Sequence, residues 1–295
     1  MLHSKSSNLF KKSEIMKRLI LSVVLLVAAL PNLDAQSVLD DKVQDGIIKK
    51  EHIQNRKPIP YTPIREADVM WKRRVWRIID LREKINLPLY YPLGNDVNGL
   101  RSLTNVIYKS VTEEVSLRVY SGAIDDFSQE VTPSEVKKMT EKSYEKVIPS
   151  MMDPSIDTTI IVTESFSPNR VKKFLIKEEW FFDRQRSVLD VRILGICPMY
   201  EQEDKEKGDQ PLFWVYFPEA RKEFAKYDVF NRQNPQERRS FDDIFWKRQF
   251  SSYIIKEENV YDRSINEYKK GMDALLESNR IKDEIITFEH DLWDF

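Results

Sequence analysis

The chain has 295 residues, 41% hydrophobic and 11% aromatic, which is enough for one large or two small packed domains and excludes a disordered chain. Its 47 basic and 48 acidic residues nearly cancel, and the positive excess is confined to the front, where Lys5, Lys11, Lys12, Lys17 and Arg18 are opposed only by Glu14 and Asp34. The chain after residue 35 is mildly acidic, which argues against general attraction to nucleic acid or anionic lipid, and the lone Cys197 excludes an intrachain disulfide.

From Met16, the basic pair Lys17-Arg18, the apolar run Leu19 to Leu30 and the segment Pro31 to Gln36 have the order of an export signal, with cleavage between Ala35 and Gln36. Residues 1–15 then form an upstream extension. The apolar run is short for a membrane span, although an uncleaved N-terminal anchor is the competing reading. No cysteine stands at the cleavage position to take a lipid, so the expectation is an exported protein of the periplasm.

Residues 36–64 are polar and aperiodic, and Pro58, Pro60 and Pro63 favour an extended arm that wraps a neighbour or partner. Residues 65–295 then read as one domain. In Glu66–Asn86, Trp71, Val75, Ile78 and Ile85 recur at helical spacing, which predicts an amphipathic helix ended by Pro88, followed by a rigid aromatic and proline connection. A second helix is predicted over Leu100–Val115. A third starts at the capping box Thr132-Pro133-Ser134-Glu135, carries Val136, Met139 and Val147 inward, and continues to Pro149.

The stretch Asp157–Phe217 reads as an antiparallel sheet. Phe174, Ile176, Trp180 and Phe182 alternate with Lys177 and Glu179, a polar turn comes at Asp183–Ser187, and Leu189, Val191, Ile193 and Cys197 repeat the pattern against Asp190 and Arg192. Cys197 reads as a small buried hydrophobe. After the charged loop 201–210, the apolar run Leu212–Phe217 suits a central strand. Helices are predicted from Pro218 to Tyr227, from a Ser240 cap through Glu257, and over Asp262–Ile286 with Ile265, Tyr268, Met272 and Leu275 inward. The fold class is therefore α+β, helix-rich, with a central antiparallel sheet flanked by N- and C-terminal helices. Asp68–Arg73 and Asp243–Arg248 share four identities in six, a weak hint of duplication.

The sequence contains no phosphate-binding glycine loop and no GxSxG elbow. Its histidines, His3, His52 and His290, form no metal-ligand spacing with Cys197, so no metal, cofactor or catalytic residue is assigned. Carboxylate pairs such as Glu178 and Asp190 could serve acid and base roles, but 48 acidic residues produce such pairs by chance. Lys72-Arg73-Arg74 between Trp71 and Trp76 superficially suits nucleic acid; export and charge favour either a packed Trp stripe with a solvated basic face or a protein-binding face. Candidate interface residues are Trp71, Arg74, Trp76, Tyr90 and Tyr91.

Three motifs carry a resemblance. Val75–Asn86 continuing through Pro88-Leu89-Tyr90-Tyr91-Pro92-Leu93, then Ile176–Asp183 with Ile193–Ile196, and Phe250–Ile254 with Asn259–Ile265 together resemble the GldN (PorN) gliding-motility family over roughly residues 60 to 290. The resemblance implies a non-enzymatic periplasmic component of type IX secretion. It implies association with an outer-membrane lipoprotein (the K component) in a ring, and contact with the periplasmic part of the inner-membrane motor (the M component). The proline-rich stretch 56–64 is then a candidate for reaching across a ring contact. A stand-alone periplasmic glycan binder or carboxylate-dependent hydrolase is the alternative.

Overall fold

A computed structural model describes residues 55–94, 100–149, 157–164, 166–202, 208–231, 233–234 and 236–292. The expected signal segment with Ala35 and Gln36, the expected arm before residue 55 and the centre of the charged loop, residues 203–207, lie outside the described residues. His52–Phe295 form one compact unit.

In chain order the elements are β1 (Val69–Asp80), α1 (Leu87–Tyr90), α2 (Leu103–Thr112), β2 (Val119–Ser121), β3 (Glu130–Val131), α3 (Pro133–Thr140), β4 (Lys142–Pro149), β5 (Asp157–Glu164), β6 (Val171–Asp183), β7 (Val188–Tyr200), β8 (Gln210–Pro211), β9 (Phe213–Tyr216), α4 (Phe217–Phe224), α5 (Phe241–Trp246), β10 (Tyr253–Glu257), α6 (Ile265–Tyr268) and α7 (Met272–Asp291). The class is α+β. An eight-stranded sheet runs β10-β1-β6-β7-β9-β2-β3, with β8 attached to β7, and β4 pairs with β5 in a separate hairpin. Every pairing is antiparallel.

The β6–β7 hairpin forms as expected, turning over Arg184–Ser187, where Ser187 has φ 50°, but β6 is not half-buried: between β1 and β7 both its faces are covered, and Lys177, Glu178 and Phe181 are buried with Phe174 and Ile176. A bulge at Lys177/Glu178 shifts its register. Lys177 faces Gly195 but Glu178 faces Ile193, so Cys197 falls on the opposite side of the sheet from Leu189, Val191 and Ile193. It is fully buried there with Trp76 and Trp214, and burial pushes its thiol pKa far up, as for an inert core cysteine. The hairpin register itself places Glu178 opposite Ile193 and Asp190 opposite Phe181, so these two carboxylates do not face each other.

The predicted helix 66–86 is instead strand β1, in the sheet interior between β10 and β6. Val75, Trp76, Arg77, Ile78 and Ile79 are all buried, because both faces of the strand are covered. Such a strand loses its alternation, and apolar residues at helical spacing arise without a helix. Half of β1 is β-branched or aromatic, which favours the pleated form. Pro88 does not end a helix but lies in the first turn of the short α1.

Other expected helices are shorter. Leu103, Ile107 and Val111 form the buried stripe of α2 as expected. The capping box at Thr132 is present, but α3 stops at Thr140 and β4 begins at Lys142; Met139 is exposed while Val136 is buried. The helix capped by Ser240 ends at Trp246, where Arg248 turns left-handed at φ 51°, and the chain becomes edge strand β10. The last helix is broken at Gly271, φ 60°. In α7 the inward residues are Glu277, Ser278, Ile281 and Ile285, whereas Met272 and Leu275 point outward. Ser278 Oγ accepts from the Ile254 amide at 2.9 Å, so α7 covers the β10 edge and satisfies an N–H that would invite another strand.

The main core lies on one side of the sheet, where Phe174, Ile176 and Val215 pack against α2, α4 and α5 through Ile107, Phe224 and Phe245. Fully burying each such side chain contributes roughly 1.5–3 kcal/mol. Among the described residues no helix is long and apolar enough to cross a membrane.

Candidate interaction surfaces

Adjacent strands bring Lys256, Trp76 and Lys177 into one row across β10, β1 and β6. Both ammonium groups lie over the indole, at 4.6 and 5.6 Å from a ring centroid. Trp76 Nε1 donates to Asp125 Oδ2 at 2.6 Å, and Lys177 Nζ donates to the Asp125 carbonyl at 2.5 Å. Burial lowers the Lys177 pKa, an effect Asp125 opposes. The loop around Phe127 thus closes over this row, and at Gly195 a Cβ would meet the Phe127 ring at 2.6 Å.

The five candidate interface residues are therefore placed very differently. Trp76 is buried in this row. Trp71 is half-buried and stacks on Phe288 of α7 at 4.5 Å. Arg74 donates through Nε and Nη2 to Glu179 on β6, at 3.2 and 2.8 Å. Tyr90 is half-buried, its hydroxyl donating to the Asn169 carbonyl at 3.3 Å. Tyr91 alone is largely exposed, lining a groove with Leu87, Pro88 and Phe230. The structure brings Tyr90 and Tyr91 together edge to face at 5.0 Å and leaves them apart from the Trp71 stack.

Residues 56–64, expected as an extended arm, are extended but run across their own chain. β7 meets β9 only at Gly195 and Ile196, which leaves Val188–Leu194 without a strand on that side among the described residues. Here Arg192 Nη2 donates to the Thr62 carbonyl. Tyr61 packs on Trp246 at 5.4 Å, with the Arg221 and Arg192 guanidiniums 4.3 and 4.9 Å from its ring. Arg56 pairs with Asp243 at 2.7 Å. Burial raises the Tyr61 pKa, opposed by Arg221 and Arg192. Below lies a buried bidentate pair, Arg221 Nε and Nη2 to the two Asp242 oxygens at 2.7 and 3.0 Å, and Arg248 donates to fully buried Glu178 at 2.9 Å. Between them is a cavity of about 180 Å³. Sequence reading missed this cluster, since its arginines sit far apart in the chain; the unpaired sheet edge that gathers them is a tertiary feature.

Also missed was the turn after β10. Asn259 Nδ2 donates to the Glu257 and Arg263 carbonyls, both at 2.9 Å, and its Oδ1 accepts from the Tyr261 and Arg263 amides. This fixed frame holds Val260 98% and Tyr261 76% exposed. On α7, Met272, Leu275 and Leu276 form a further exposed apolar row. Apolar groups held outward on rigid frames are suited to binding protein.

The family model described as "Gliding motility associated protein GldN" matches residues 64–294. Among curated proteins none matches the chain. The match covers the whole sheet and helices α1 to α7, and the chain belongs to the GldN family of gliding-motility-associated proteins.

Proposed function

We propose that this GldN-family chain is a non-enzymatic structural subunit of the type IX secretion and gliding machinery, assembled in a periplasmic ring with an outer-membrane lipoprotein. In this reading the ring subunits also touch the periplasmic part of the inner-membrane motor, and the protein is held at the outer membrane through its lipoprotein partner. The observation that carries the reading is the family match across residues 64–294. The export signal ending at Ala35 supports the location, and the rigid presentation of Val260 and Tyr261 supports a role in protein contacts.

Deleting the gene and restoring it with variants tests the reading. Wild type restores export of proteins across the outer membrane, whereas V260S/Y261S folds normally and restores it poorly. Normal export in the deletion strain would contradict the proposal.

A further inference from the structure

We propose that the cavity between β7, the 61–62 segment, α4 and α5 is a binding site for a small oxyanion, with Arg192 as its principal donor. Nothing in the scaffold role requires such a site, and the cavity stands independently of that role.

The cavity wall carries four guanidiniums, from Arg186, Arg192, Arg221 and Arg248, and one carboxylate, from Asp190. Three of the four are neutralised by neighbours. Arg221 is held by Asp242, Arg248 by Glu178, and Arg186 by Asp183 and Asp190 at 2.7 and 3.3 Å. Arg192 has no carboxylate partner among the described residues. Its Nη2 donates to the neutral carbonyl of Thr62, and its Nε is buried with no acceptor among them. Its charge is thus offset by no carboxylate, and an anion in the cavity would supply that missing countercharge in a charge-assisted pair. Its guanidinium is also fixed, lying 4.9 Å from the Tyr61 ring and 5.5 Å from the Phe181 ring, so little ordering is required on binding.

Size limits the ligand. About 180 Å³ falls below the roughly 300–1,000 Å³ of sites for drug-sized molecules, yet is several times the share of one water, about 30 Å³. The chemistry on the wall selects a compact group with several acceptor oxygens, a phosphate or a carboxylate, over a nucleotide or a sugar. Because Thr62 and Tyr61 belong to the 56–64 segment, an anion held by Arg192 would also tighten that segment on the sheet.

The test uses the full chain, titrated with inorganic phosphate and separately with acetate against chloride at matched ionic strength. Tryptophan fluorescence, to which Trp246 on the cavity wall contributes, and the melting temperature are followed together. We expect saturable binding with a raised melting temperature. R192Q should lose at least tenfold in affinity, R192K should keep part of it because the charge remains without the planar guanidinium fork, and the surface control K222Q should bind as wild type does. Preference for phosphate identifies a tetrahedral anion, and preference for acetate a carboxylate such as a partner's side chain; either supports the site. Equal affinities in wild type and folded R192Q, or no saturable binding of either anion, overturns it.

Discussion

Two hexapeptides of nearly the same sequence adopt opposite structures in this chain. Asp68–Arg73 enters strand β1, and Asp243–Arg248 forms most of helix α5. Each contains Trp-Lys-Arg, yet Trp71 stacks on Phe288 of the terminal helix, whereas Trp246 is 42% exposed beside Tyr61. The difference lies in the flanks. Before the second copy, Ser240 makes a reciprocal capping box with Asp243, satisfying amides that open a helix. The first copy has no such cap and runs into Arg74-Val75-Trp76-Arg77-Ile78-Ile79, which β6 and β10 pair on either side. The resemblance is thus no evidence of duplication; six residues are too few to set a conformation against their surroundings.

The strongest way to break the helical copy is to remove what holds it to α4. D242A leaves the buried Arg221 guanidinium uncompensated, and we expect a loss of about 3–5 kcal/mol in denaturant unfolding. The double variant R221M/D242L, with no charge left to strand, should recover most of it. If D242A alone is as stable as wild type, the pair does not lock α5.

The strand copy depends on α7, and α7 is anchored by buried Glu277, which accepts from Arg280 at 2.6 Å and Lys269 at 2.6 Å. The Arg280 and Lys269 hydrogen bonds outweigh desolvation and hold its pKa down at about 2, against 4.5 for an ordinary glutamate. A depressed folded pKa contributes stability above the unfolded value and loses it as pH falls through the folded one. Stability on the order of 2 kcal/mol should therefore disappear between about pH 4.5 and 2. E277Q should flatten this part of the acid-unfolding curve; an unchanged curve would exclude Glu277 as the anchor.

Smaller effects sharpen the contrast. S240A should cost about 1 kcal/mol and raise amide exchange at the start of α5 while leaving β1 protected. F288A removes the partner of Trp71 and should cost roughly 0.5–1.5 kcal/mol beyond the area lost, with faster exchange in α7 and not in α5. Exchange changes in both copies at once would show that the two sites are coupled.

The same contrast between local and tertiary causes decides what is legible in the sequence. The β6–β7 hairpin is legible because its polar turn and alternation are local, as are the capping boxes at Thr132 and Ser240. β1 is not, because coverage on both faces erases the period of two, and the end of α5 depends on the left-handed turn at Arg248. Of the candidate interface residues, Tyr91 lies at the surface, but Trp76 is committed to the Lys256–Lys177 row, which is visible only once strand register is known. The Asn259 frame left a signal, since Asn259–Ile265 belongs to the family-like motifs, but nothing in its composition indicates that Val260 points into solvent.

If this chain works as a fixed part of a larger assembly, it should leave the envelope with that assembly. The most direct test is to purify the tagged protein from gently solubilised envelopes, identify what co-elutes and measure the particle's size. We predict an outer-membrane lipoprotein in near-equal amount within a very large particle. Recovery of a lone monomer under the same extraction would contradict the scaffold role.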